Sequence, residues 1–66
     1  MEGLQEKFER KRRDALALAD SQPVESICAM CWALHWCLGL DYDEIAGQLK
    51  LMTPGVDGLR TWIEGL

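Results

Sequence analysis

Apolar positions recur at three- and four-residue steps along nearly the whole chain, and nowhere do they alternate as a half-buried strand requires. Over residues 3–19, Leu4, Phe8, Ala15, Leu18 and Ala19 follow that spacing with charges between them, which predicts a first helix with a weakly apolar middle. It should end near Asp20-Ser21-Gln22, because Pro23 disfavours helical geometry at the residue before it yet suits the first turn of a following helix. The second helix, residues 23–38, carries two stripes. Val24, Ile27, Cys28, Cys31, Leu34 and Leu38 form one, with His35 beside it; Ala29, Ala33, Trp36 and Cys37, flanked by Met30 and Trp32, form the other. At roughly 100° per residue the stripes lie on opposite sides. Both need cover, one from the first helix and one from the C-terminal half, and any shortfall leaves Trp32 and Trp36 as a face for a dimer or a partner.

Gly39 is placed to end the second helix, and Asp41 with Glu44 makes a capping box for a third helix from Tyr42 to Leu49. After a turn at residues 50–52, Thr53 is the expected cap of a fourth helix with Pro54 in its first position, running to Glu64. No strand, repeat or low-complexity linker interrupts this order. The prediction is an all-α chain: a compact bundle of three to four helices in a single domain over residues 1–66, with a charged N-terminal helix (1–20) and a helical core (23–64).

Length sharpens that picture. With 66 residues, the chain should bury only roughly 60% of its unfolded surface, so dimerisation or a bound partner would add needed stability. The apolar run Ile27–Leu40 is shorter than the ~20 residues that span a bilayer, and no secretory leader is recognisable, so a cytoplasmic protein is expected. The cysteines, crowded as Cys28-x-x-Cys31-x5-Cys37, are odd in number and do not resemble a disulfide framework. Charge is split along the chain. Residues 1–13 hold five cations against three acids, +2, whereas the remainder holds Lys50 and Arg60 against eight acids, −6.

The segment "LDYDEIAGQLKLMTPGVDGLRTWI", residues 40–63, resembles the helix-turn-helix of the C-terminal domain of bacterial sigma factors and of LuxR-type regulators. Upstream, "ALALADSQPVESICAMCWALHWCLGLDYDEIA" is similar to the helix, proline turn and apolar helix that precede that motif in the sigma domain. The resemblance implies that Ile45, Ala46, Leu49, Leu51, Val56 and Leu59 pack two crossed helices on each other. It also implies contact with DNA or with RNA polymerase. Where the family commonly holds a glycine in the turn, this chain has Lys50, which would have to take left-handed geometry. The positions that the resemblance turns towards DNA are Met52, Thr53, Pro54, Asp57, Gly58 and Thr61. None is basic, none is an Asn or Gln able to read adenine, and Asp57 would meet phosphates with a like charge.

Candidate chemistry narrows the alternatives. Cys28, Cys31 and His35 share one helical face and could supply three ligands to zinc, but Cys37 faces away and no second ligand pair exists. Buried small hydrophobes, with His35 at the core edge, are the simpler account, and no cofactor is expected. Nucleophilic catalysis lacks an orienting third group and a pocket, so the chain is not expected to be an enzyme. Lys7, Arg10, Lys11, Arg12 and Arg13, with Lys50 and Arg60, are candidate nucleic-acid contacts, although Glu–Lys and Glu–Arg pairs on a solvated helix explain the same run.

The expectation is a small regulatory helix-turn-helix protein acting mainly through protein contact. It would be an inhibitor or modulator of transcription or another nucleic-acid machine, and a homodimer is expected. Candidate partner-binding residues are Met52, Thr53, Asp57, Gly58, Thr61 and Trp62. In size and charge the chain also resembles small phage-encoded inhibitors. The alternative is a dimeric DNA-binding regulator whose basic first helix supplies phosphate contacts.

Overall fold

Proline at position 23 sits in the opening turn of a helix, where its missing N–H costs nothing, and its ring disfavours helical geometry at Gln22 (φ −139°, ψ 68°), which separates the two helices. The computed structural model describes residues 2–66 and contains four helices: α1 (Leu4–Leu18), α2 (Pro23–Trp36), α3 (Tyr42–Lys50) and α4 (Gly55–Gly65). Among the described residues there is no strand. The Cα radius of gyration, 11.2 Å, is close to the roughly 11 Å expected of a compact chain of this length.

The core joins all four helices. Phe8, Ala15 and Ala19 come from the α1 side, Met30, Ala33, Leu34 and Cys37 from α2 and its end, Ile45 from α3, and Leu59, Trp62 and Ile63 from α4. Helices α1 and α2 form a hairpin, and α4 packs across both. Two polar side chains complete this arrangement. The amide of Ala19 bonds to the Leu16 carbonyl (3.3 Å), and the fully buried Ser26 hydroxyl donates to the Ala15 carbonyl (2.6 Å). A hydroxyl from α2 thus holds the end of α1, a bond whose loss would strand a buried carbonyl. Arg12 stands at helical spacing between Phe8 and Ala15. Its guanidinium donates to the Glu64 carbonyl at the end of α4 (3.0 Å) and to the Glu9 carboxylate (2.6 Å). The weakly apolar middle of the first helix is therefore where a cation meets the carbonyl end of another helix.

Several expectations need correction. On α2 the buried stripe is Ser26, Met30, Ala33 and Leu34, whereas Val24, Cys28 and Leu38 are exposed. The polar serine disguises the true period, and Val24 and Leu38 lie at or just past the helix ends, where no neighbour reaches. Thr53 does not cap α4; Pro54 occupies the cap position with no side-chain hydrogen bond, and Gly55 follows at φ 91°. That left-handed step sets the helix to begin after the proline, and only glycine takes it without strain. Lys50 is helical, and no non-glycine residue among those described has positive φ.

The crossed pair is also absent. No Cα of α3 lies within 8 Å of one in α4; α3 packs on α2, and α4 on α1 and α2. Ala46, Leu51 and Val56, expected to lie between the two helices, are exposed.

Candidate interaction surface

Among the described residues, apolar clefts open at two different junctions of α2. The larger, about 400 Å³, lies between α2 and α3 and is lined by Cys31, Trp32, His35, Trp36, Tyr42, Ile45, Ala46 and Leu49. Its shape follows from the α2–α3 connection. Gly39 takes φ 75°, the Leu40 amide returns to the Leu34 carbonyl (3.1 Å), and His35 Nδ1–H donates to the Leu40 carbonyl (2.8 Å). That bond orients the imidazole so that it stacks on Tyr42, centroids 5.7 Å apart, and meets Trp36 edge-on at 4.9 Å. The Asp41–Glu44 capping box, with Glu44 N–H donating to Asp41 (2.8 Å) and Asp41 N–H to Glu44 (3.3 Å), starts α3 directly beneath the aromatic cluster. Trp36 is 65% exposed and Tyr42 81%.

The smaller cleft, about 340 Å³, lies where the start of α2 meets the α3–α4 loop. Its lining is Pro23, Ile27, Met52, Thr53, Pro54, Gly55, Val56 and Leu59. Of the residues expected to contact a partner, Met52 and Thr53 line this cleft, while Asp57 and Thr61 are exposed on α4. Gly58 and Trp62 are buried and face the interior. A Cβ on Gly58 would meet the Thr53 carbonyl and hydroxyl, so the loop folds back against the helix at that point. Trp62 packs in the core with its Nε1–H buried and without a partner. The surface available on this side therefore reduces to Met52, Thr53, Asp57 and Thr61.

The basic residues are largely engaged. Arg10 forms a bidentate pair with Glu2 (2.9 and 3.0 Å), which holds the Glu2 carboxyl below the usual carboxylate range. Arg12 closes α4 as described. Arg60 reaches the Leu16 carbonyl (3.4 Å) and Asp20 (3.3 Å) at the end of α1. Lys7 and Lys11 place their ammonium groups 5.1 and 4.9 Å from the Trp32 ring centroid, the geometry of cation–π attraction. Arg13 and Lys50 are exposed.

Among the described residues no group of three or more His, Cys, Asp or Glu is placed to hold a metal ion. Cys28, Cys31 and His35 share a helical face, but His35 Nδ1 is committed to the Leu40 carbonyl. The thiols differ in setting. Cys28 is exposed and Cys37 buried, while burial pushes the Cys31 thiol up, with the charge of nearby Cys28 adding to the effect. Because the thiolate is the nucleophile, iodoacetamide at pH 8 should label Cys28 first, Cys31 slowly and Cys37 only on unfolding. Peptide mass mapping over time gives the order, and early labelling of Cys37 would contradict the packing of α2.

Fold and surface together define a small all-α module of four helices with apolar clefts and an acidic C-terminal half. Comparison with protein-family models, with curated proteins and with solved structures found no match. The resemblance of residues 40–63 to the sigma and LuxR helix-turn-helix thus stands on those residues alone. Among the described residues no helix is long and apolar enough to cross a membrane.

Proposed function

We propose that this chain is a small helical regulatory protein that acts through protein contact, as a modulator or inhibitor of a larger machine. The observation that carries this reading is the contrast between its cations and its apolar clefts. Arg10, Arg12 and Arg60 are held in internal pairs or helix ends, while Met52, Thr53 and Val56 border an open apolar cleft near the exposed carboxylate of Asp57. Apolar surface ringed by polar residues supports protein recognition, whereas duplex binding draws most of its affinity from unpaired cations. The sequence resemblance in residues 40–63 makes the transcription apparatus the first class of target to test. A helix-turn-helix contact with DNA finds less support, because α3 and α4 do not pack as a crossed pair.

Two measurements decide between protein and DNA. Fluorescence anisotropy with a labelled duplex pool at low ionic strength should show no saturable binding. Affinity that falls steeply with added salt would replace this reading with the DNA-binding one. Capture from the native host should return one stoichiometric protein that is lost with Met52→Ala or Asp57→Lys. Capture indifferent to both substitutions would remove the loop–α4 face from the proposal.

A further inference from the structure

We infer that the groove between α2 and α3 is the contact face between two copies of this chain, related by a two-fold axis along α2. This face is separate from the α4 side discussed above and does not depend on what that side binds. The groove floor is apolar and aromatic, and its most exposed side chains, Trp36 and Tyr42, are large rings that stacking with His35 already holds in place. Pre-ordered rings lose little freedom on docking, which favours association.

Charge selects the occupant. Helix α1 packs on α2, and its Lys7 and Lys11 gather at Trp32. Helix α3, no Cα of which comes within 8 Å of α1, also packs on α2, and its cap and first turn hold Asp41, Asp43 and Glu44, all exposed. Cations thus stand at the Trp32 wall of the groove and carboxylates where α3 begins beside Tyr42. An isologous interface brings each patch onto its own copy, so it must be self-complementary. Rotation about an axis along α2 sets the lysines of each protomer opposite the acidic end of α3 in the other, with Trp36 of both near the axis. A uniformly acidic ligand would meet the α3 carboxylates, and a uniformly basic one would meet the lysines. A standard interface covers about 800 Å² per partner, a modest share of the 4493 Å² surface of this chain.

Sedimentation velocity on the full chain with reductant present, from about 1 µM to 1 mM, should show a reversible monomer–dimer equilibrium that weakens with salt. Trp36→Gln, at an exposed position, should leave the helical circular dichroism intact and abolish the dimer. Lys7→Glu with Lys11→Glu should weaken it by about tenfold or more, as should Asp43→Lys, because each sets like charges together in the homodimer. Mixing those two variants restores opposite charges across the interface and should yield a heterodimer. A monomer at every concentration overturns the proposal, as does a dimer unaffected by Trp36→Gln. Failure of the mixed charge variants to pair overturns the two-fold arrangement along α2.

Discussion

Alanine at position 58 should destabilise the chain by about 2–3 kcal/mol, although alanine is the better helix former. Overpacking typically costs about 1–3 kcal/mol and occasionally more; against a fixed backbone atom the cost falls at the upper end, about 3–4 kcal/mol, and is offset by a helix-propensity gain of about 1 kcal/mol. At Gly58 the obstacle is the carbonyl of Thr53, part of the backbone, so no side chain can swing aside. A chain of this size has roughly 3–10 kcal/mol of total stability, and each kcal/mol lost lowers the melting temperature by about 4–8 °C. Thermal unfolding followed by circular dichroism should therefore show a fall of about 8 °C or more for Gly58→Ala. Gly47, exposed in the middle of α3 with open space around its Cα, supplies the control: Gly47→Ala should raise stability by about 1 kcal/mol. Equal effects at the two positions would mean that the loop does not fold back onto α4.

The same glycine shows where sequence reasoning stops. A glycine in an apolar-periodic segment signals close packing or a turn, but its neighbour is set by the path of the loop before it. Local chemistry was legible wherever one or two residues determine the geometry. Pro23 starts a helix, Asp41 and Glu44 close a capping box, and Gly39 turns the chain after α2. Each outcome depends on steric or hydrogen-bonding preferences that operate within a few residues. The threonine–proline pair before α4 misleads because Gly55 can adopt φ 91°, and this shifts the start of the helix past both residues.

Tertiary pairing was less legible. Apolar spacing on α2 suggests two faces, and the buried one is centred on Ser26, Met30 and Leu34. A serine reads as surface until a carbonyl from another helix is found above it. Arg12 likewise reads as part of a solvated basic run, yet it spans to Glu64, fifty-two positions away. The apolar positions of residues 40–63 fit a crossed helix pair equally well as two helices that each bury one side against a third. The structure adopts the second solution. Spacing within a helix reports which side is buried, and it is silent on what that side meets. The exposed tryptophans fared better, because a helix apolar on two sides in so short a chain outruns the surface available to cover it, and Trp32 and Trp36 remain open.

Tryptophan 62 is the residue whose assignment changes most, and its substitution should be the most damaging in the chain. At 7% exposure among the core residues of α4, Trp62→Ala should cost about 3–5 kcal/mol through lost burial and the cavity left behind, enough to leave much of the protein unfolded at ambient temperature if total stability is near the low end of its range. Trp62→Phe should behave differently. Its ring retains most of the volume and removes the buried Nε1–H that has no acceptor, so lost packing and lost desolvation penalty oppose each other and the net cost should stay below about 1.5 kcal/mol. Trp36→Gln, on the open side of α2, should alter the stability of the isolated monomer by no more than about 0.5 kcal/mol. Urea unfolding of the three variants at a concentration below dimer formation separates the roles of the two indoles. A Trp62→Ala protein as stable as the parent would place that indole on the surface, return it to the partner-binding set and require a different core for α4.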